Sequence, residues 1–314
     1  MTDKMKIGVV GVGAIGKNHA RIYAESDSAQ LAAIFDSNSE AAREVAGQYG
    51  GQVVDSLEQF CQLVDAASIA TPTKTHRLVG ETLLGAGKHV LIEKPIADSA
   101  DDAKALVRMA AESNCILQVG HIERFNPVLG EIEQRLTDPR FIEVHRLSPF
   151  PNRSMDIGVV LDLMIHDLEI VLHLVKSEVE RIDAVGVPVL TAREDIANAR
   201  IRFKSGCVAN ITSSRISPEK MRKLRVFQGD SYLSLDYQQQ EGELYWKDGM
   251  EIKKLPVSVE KEEPLKKELE AFIDCAIAGR QPAVSGREAT AALELAIEIT
   301  QLIESGGTPG NLPT

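Results

Sequence analysis

Two short stretches of this chain carry residues whose types and spacing could do chemistry. Lys94 stands between the apolar run 90–92, closed by Glu93, and Pro95. A lysine held between a buried strand and a proline is partly desolvated, and a desolvated ammonium shifts its pKa readily. That suits it to exchange or stabilise charge on a bound ligand, although a lone lysine after a strand more often ends as a solvated surface charge. Asp162, His166 and Glu169 recur at spacings of four and three inside the apolar stretch 159–175, so they share one face of a helix. A polar stripe on a buried helix requires partners. Three fates fit the spacing: a histidine satisfied in the core, a general base beside a carboxylate, or a metal site completed by His173.

Such groups need a scaffold that brings a ligand to them. Gly11-Val12-Gly13-Ala14-Ile15-Gly16 follows the apolar run 7–10 and opens a helical pattern. In that context each glycine serves a separate purpose, with a tight turn at Gly11, close approach of a pyrophosphate at Gly13, and helix-on-strand packing at Gly16. The loop, with Ala14 and Ile15, would hold the pyrophosphate on backbone amides at the positive end of the helix dipole. Asp36 ends the second apolar run, 20 residues after Gly16, where an acid bonds ribose hydroxyls. Its charge repels a 2′-phosphate and Ser37-Asn38-Ser39 offers no cation, so NAD is expected rather than NADP.

The elements around these residues form two patterns. Up to about residue 120, short apolar runs at 7–10, 31–35, 67–70, 89–92 and 116–119 alternate with helical patterns, which implies parallel strands joined by crossovers. Leu78, Leu83 and Leu84, followed by Gly85 and Gly87, predict a helix ending at a glycine cap. Beyond residue 140 come strand-like runs at Phe141–Leu147, 181–187, 197–203, 207–213, 224–227, 232–236 and 243–246, interrupted by the buried helix 159–175. Strands without intervening helices favour antiparallel pairing. The chain closes in helices at Pro264–Ala278 and 287–304. The prediction is an α/β protein: a doubly wound parallel sheet over 1–122, and over 123–314 an α/β domain with a large, mostly antiparallel open sheet, whose last helices can return to the first domain. In such a sheet ligands bind beyond the carboxyl ends of the strands. Thr71-Pro72-Thr73-Lys74-Thr75-His76 and Glu93-Lys94-Pro95 stand there.

The composition sets outer limits. Length alone predicts two domains. With 46 Asp and Glu against 35 Lys and Arg, the net charge of −11 repels nucleic acid and anionic membranes, so neither is an expected partner. Cys61, Cys115, Cys207 and Cys275 lie far apart and read as free thiols, and no secretory or membrane-spanning pattern is present. The expected compartment is the cytoplasm.

Taken together, these residues resemble the Gfo/Idh/MocA oxidoreductase family, and the resemblance covers essentially the whole chain. It is carried by the glycine loop with Asn18 and His19 behind it, by Thr71-Pro72 with His76, by the run from Gly87 through Glu93-Lys94-Pro95, and by Asp162 with His166. The resemblance implies a Rossmann domain followed by a substrate domain that often mediates homodimers or homotetramers. It further implies that Lys94 bonds the reacting hydroxyl, His166 is the acid/base, and Asp162 holds the sugar or the imidazole. Thr71, Pro72, His76, Glu93 and Lys94 would line the cofactor. Two departures stand out: Met164 and Glu169 occupy positions where the family has glycine and aspartate.

A narrower resemblance, to members acting on nucleotide-linked sugars, lies in Gly120-His121-Ile122-Glu123-Arg124-Phe125-Asn126-Pro127 and in the stretch from Asp156 to Asp162. It makes His121, Arg124, Asn126, Arg153 and Glu169 candidates for substrate contact, with Arg124 and Arg153 able to meet a diphosphate through planar guanidinium groups. The expected reaction is hydride transfer from a sugar secondary alcohol to the nicotinamide, without a metal. A free polyol or inositol is the alternative substrate. A non-catalytic NAD(P)-sensing regulator is the alternative of another class, disfavoured because a sensor has no use for an acid/base pair.

Overall fold

The computed structural model describes residues 4–150, 157–257 and 259–306. The chain divides into two compact units, Met1–Phe125 with Glu263–Thr290, and Asn126–Glu262 with Ala291–Thr314. In the first unit, in order, lie β1 (Met5–Val10), α1 (Gly16–Glu25), β2 (Ala29–Phe35), α2 (Ser39–Tyr49), β3 (Gln52–Val53), α3 (Leu57–Leu63), β4 (Ala66–Ile69), α4 (His76–Gly85), β5 (His89–Glu93), α5 (Ala100–Glu112) and β6 (Leu117–Gly120). The six strands form one parallel sheet in the order β3-β2-β1-β4-β5-β6. Such strands are covered on both faces, which is why Val90, Leu91 and Ile92 are an unbroken apolar run and wholly buried. The order reverses between β1 and β4, and that switch point opens a crevice at their carboxyl ends.

The second unit begins with α6 (Pro127–Arg135) and β7 (Phe141–Leu147). After α7 (Ile165–Val175) come β8 (Val179–Val187), β9 (Ile196–Phe203), β10 (Val208–Ser214), β11 (Met221–Phe227), β12 (Ser231–Asp236), β13 (Glu241–Asp248) and β14 (Glu251–Val257). The eight strands run β14-β13-β12-β11-β7-β10-β9-β8, antiparallel throughout except for the β7–β10 pair. Burial alternates along β7, with Ile142, Val144 and Arg146 facing inward. The chain ends in α8 (Pro264–Ala278) and α9 (Gly286–Glu304). Leu269, Phe272 and Ile273 of α8 join Ile7, Val9, Ile34 and Leu91 in the core of the first unit.

The expected α/β architecture is present, with three local differences. β3 has two residues, too few to show a period. β14 is charged and almost fully exposed, carrying Lys253, Lys254 and Pro256, which is how an edge strand avoids pairing with other chains. The predicted helix 159–175 starts as a π-helical turn, Val160–Met164, before continuing as α7. Its beginning is fixed by Glu194, whose carboxylate accepts from the N–H of Val160 at 3.3 Å while its main-chain oxygen accepts from Val159. A Cβ on Gly158 would lie 1.8 Å from Glu194 Oε1, so a larger residue there would displace the carboxylate that holds the start of this turn. Single π turns inside helices recur at functional sites, and this one carries Asp162.

Candidate active site

The glycine loop has the geometry of a phosphate cradle. Gly11 sits at φ +86° in the left-handed region and donates to Phe35 O at 2.8 Å. A Cβ on Gly16 would fall 1.9 Å from Gly11 O, so the helix can close on the turn only without one. At Gly13 a Cβ would meet nothing within 4 Å, which leaves room for a ligand at the loop surface. Ala14 and Ile15 lead into α1, whose first turn has no side-chain cap. Asp36 closes the cradle: Oδ2 accepts from Val12 N at 2.7 Å and Oδ1 from Asn38 N at 2.8 Å. A carboxylate has about four acceptor positions, so two remain for hydroxyls.

Beside the crevice the loops after β4 and β5 are tied together. His76 is buried, with Nδ1 2.9 Å from Pro95 O and Nε2 2.8 Å from Thr71 O. Burial pushes its pKa down, against the opposing pull of these carbonyls. A neutral imidazole donates through one nitrogen only, so one of the two contacts is the hydrogen bond at any moment. The ring thereby staples the Thr71-Pro72 loop to the Lys94-Pro95 turn, and Thr75 Oγ1 adds bonds to Thr71 Oγ1 and Pro72 O. Lys94 is half-buried and Glu93 is buried. His121, past the end of β6, is fully enclosed; burial, then the positive charges of Lys94 and Arg124, push its pKa down to about 3, so it is a neutral ring at physiological pH.

In the second unit Asp162 and His166 are both half-buried and Glu169 is buried. Two ion pairs that sequence reasoning missed hold this region. Arg146 of β7 grips Asp167, the neighbour of His166, in a buried two-pronged bond: Nε to Oδ2 at 2.7 Å and Nη2 to Oδ1 at 2.8 Å. Asp195 accepts from the N–H groups of Val189, Leu190 and Thr191 and from Arg215 Nε, and Arg215 Nη1 donates to Ile157 O just before the π turn. The signal for the first pair was present, because Arg146 occupies the inward phase of an alternating strand. His173 turns to Glu133 Oε1 of α6 at 2.8 Å. Among the described residues no cluster of three or more His, Cys, Asp or Glu is arranged to hold a metal ion, and no helix is long and apolar enough to cross a membrane.

Comparison with known proteins follows the same two parts. Residues 5–121 match the oxidoreductase family with NAD-binding Rossmann fold, and residues 131–230 match the GFO/IDH/MocA C-terminal domain. The chain belongs to the Gfo/Idh/MocA oxidoreductase family. It is similar to UDP-N-acetylglucosamine 3-dehydrogenase of Acidithiobacillus ferrooxidans, 38% identical over 96% of this chain and 98% of that protein. A solved structure of that enzyme superposes with a TM-score of 0.93, covering 98% of this chain and 100% of the other at 37% identity. An inositol 2-dehydrogenase of Rhizobium meliloti is 28% identical over 67% of this chain and 69% of its own length.

As a Gfo/Idh/MocA protein, the chain carries its nicotinamide cofactor on the first unit, and the cradle geometry fits that group. Two further candidates have structural duties. Asn126 is buried and caps α6, accepting from Val128 N at 3.3 Å and donating to Tyr237 O at 3.0 Å. Arg124, in the 3-10 turn Ile122–Phe125, donates to Ala283 O at 3.3 Å. Arg153 and Asp156 lie outside the described residues.

Proposed function

We propose that this protein oxidises a secondary alcohol of a nucleotide-linked sugar, UDP-N-acetylglucosamine at C3, with NAD as acceptor. The observation that carries the reading is the near full-length similarity to an enzyme of that name, joined to the retention of Lys94, Asp162 and His166. NAD is favoured over NADP because the Asp36 carboxylate stands where a 2′-phosphate would go and Ser37, Asn38 and Ser39 supply no counter-charge. When bound, the nicotinamide supplies the hydride acceptor.

The chain's own groups do the rest. Lys94 hydrogen-bonds the reacting hydroxyl and stabilises the alkoxide that develops on its oxygen. His166 takes the proton, and Asp162 holds the imidazole in the tautomer that leaves a nitrogen free to accept it. His121, neutral and beside Lys94 and Arg124 in charge terms, supports the substrate side of the site from within the fold without adding charge. Thr71, Pro72 and Glu93 line the nicotinamide half, His76 holding their loops in place, while Glu169 and Arg153 contact the substrate. Assembly into a homodimer or homotetramer through the open sheet is supported by the exposed Val185 and Val187 on the edge strand β8. The compartment proposed is the cytoplasm.

NADH formation with UDP-N-acetylglucosamine, followed by absorbance, tests the reading. Lys94→Ala should lower turnover by about 10²- to 10⁴-fold. An unchanged rate overturns the assignment of Lys94. The second reading, a free inositol or polyol dehydrogenase, is favoured by the similarity to inositol 2-dehydrogenases. It wins if myo-inositol reduces NAD and the nucleotide sugar does not.

A further inference from the structure

Behind the end of β5 lies a cluster of titratable groups to which the proposed reaction gives no proton-transfer role. Glu268 of α8 is fully buried, and among the described residues neither carboxyl oxygen has a hydrogen-bond partner. Its helix is held there by Gln118 of β6, whose Nε2 donates to Glu268 O at 3.0 Å. Glu93, the last residue of β5, lies against Gly120, where a Cβ would come within 2.8 Å of Oε1. From α1 comes His19, fully buried, with Nε2 3.2 Å from Glu93 Oε1 but outside hydrogen-bond geometry, and with Nδ1 unpartnered. One turn further, the Tyr23 hydroxyl is hydrogen-bonded with that of Ser68 of β4 at 2.6 Å, and burial pushes its pKa well up, with Glu268 and Glu93 adding to it. The 3-10 turn packed on α8 contributes Glu123 and Arg124, and at the first turn of α8 Arg21 pairs with Glu263 at the surface.

A buried carboxyl with no donor and no cation cannot ionise without a large loss of solvation, and a second carboxylate nearby adds repulsion. Glu268 therefore keeps its proton; burial first, then Glu93, raises its pKa well above the ordinary glutamate range. Glu93, by contrast, has an imidazole alongside, with His19 Nε2 3.2 Å from its Oε1. The cluster is thus poised: extra positive charge at the end of β5 drives a proton out, and its removal draws one in.

We propose that Glu268, in a cluster with Glu93 and His19, holds a proton that binding of the oxidised, cationic nicotinamide releases, while binding of the reduced, uncharged ring does not. The proposal rests on the reading that the nicotinamide lies beside Glu93. It makes the preference for oxidised over reduced cofactor depend on pH.

Calorimetric titration of the full-length protein with NAD and with NADH, in two buffers of different ionisation enthalpy, measures the proton count directly. In the wild-type protein NAD binding should release protons and tighten with pH, by up to about tenfold per pH unit for one full proton. NADH binding should show neither effect, and Glu268→Gln should lose the difference between the two forms. Equal proton release for both forms, or release unaltered in Glu268→Gln, overturns the proposal. Infrared spectra of the cofactor-free protein supply a second readout: the band of an un-ionised carboxyl group at neutral pH should vanish in Glu268→Gln, and its absence from the wild-type protein also overturns the proposal. If neither cofactor form binds, the cofactor reading fails, and the infrared band separates that failure from failure of the cluster. Should the glutamine variant not fold, Glu268→Leu serves in both measurements.

Discussion

In the second unit, Asp195 is buried among three backbone N–H groups, a threonine hydroxyl and the Arg215 guanidinium, and Asp167 is gripped by both prongs of Arg146. In the first unit Glu268 is equally buried and, among the described residues, neither of its carboxyl oxygens has a hydrogen-bond partner, while Glu93 has the His19 imidazole at 3.2 Å. The two regions resolve the same physical problem in opposite ways. Where a charge is matched by donors, it is locked and the structure around it is rigid; where it is not, the acid stays neutral and its proton becomes responsive to new charge. The matched pairs fix loops and helices that must not move. The unmatched cluster stands behind the strand end that carries Lys94.

The largest effect that could break this comparison is at Asp195. Asp195→Ala leaves Arg215 buried without its counter-ion and should cost about 3–5 kcal/mol of stability, read from denaturant midpoints at pH 7. Burial alone pushes the Asp195 carboxyl up, but the N–H groups of Leu190 and Thr191, the guanidinium and the Val189 N–H outweigh it and hold it well below the usual carboxylate range. Its folded pKa is thus depressed. The stability it contributes is full above the ordinary aspartate pKa and disappears as pH falls towards the folded value. A loss under about 1 kcal/mol would show that the pair is not locked.

Next comes Arg146 with Asp167. Arg146→Met alone should cost several kcal/mol, about as much as breaking any buried pair, whereas Arg146→Met with Asp167→Leu should recover most of it. Recovery of stability without recovery of activity would identify the pair as positioning residues for His166. The expected signature is a lower kcat at unchanged KM, together with a shifted pH–rate profile.

Much of this was legible in the sequence wherever periodicity and end signals agreed. Phe141–Leu147 and Pro264–Ala278 matched at both ends, the latter because Pro264 opens the helix and Gly279 closes it in the left-handed region. The cradle was legible because glycines at fixed spacing follow a strand. The buried charges were not, since Asp195, Arg215 and Glu268 are ordinary surface residue types and only the fold decides their burial. For Glu268 a signal existed: position 268 is in phase with Leu265, Leu269, Phe272 and Ile273 on the apolar face of α8. The π turn had none, because its residues read as plain helix.

A smaller effect, of opposite sign in pH, is expected at Glu268. With its folded pKa raised, the native state holds more protons than the unfolded chain once pH exceeds the ordinary glutamate value. Stability from this group is therefore full below that value and is lost as pH rises towards the folded one, the reverse of Asp195. Glu268→Gln should remove the alkaline decline and leave the acid limb from Asp195 intact, a separation that thermal unfolding between pH 4 and pH 9 would display.

The smallest effect belongs to a pair outside both regions. Lys17 and Glu44 meet at 3.3 Å on the surface, both side chains well exposed. Lys17→Ala should change stability by less than about 1 kcal/mol, because solvent and salt screen an exposed pair and ordering two long side chains offsets its attraction. A loss approaching that at Asp195 would mean that exposure does not separate weak pairs from strong ones here, and the contrast between matched and unmatched buried charge would lose its baseline.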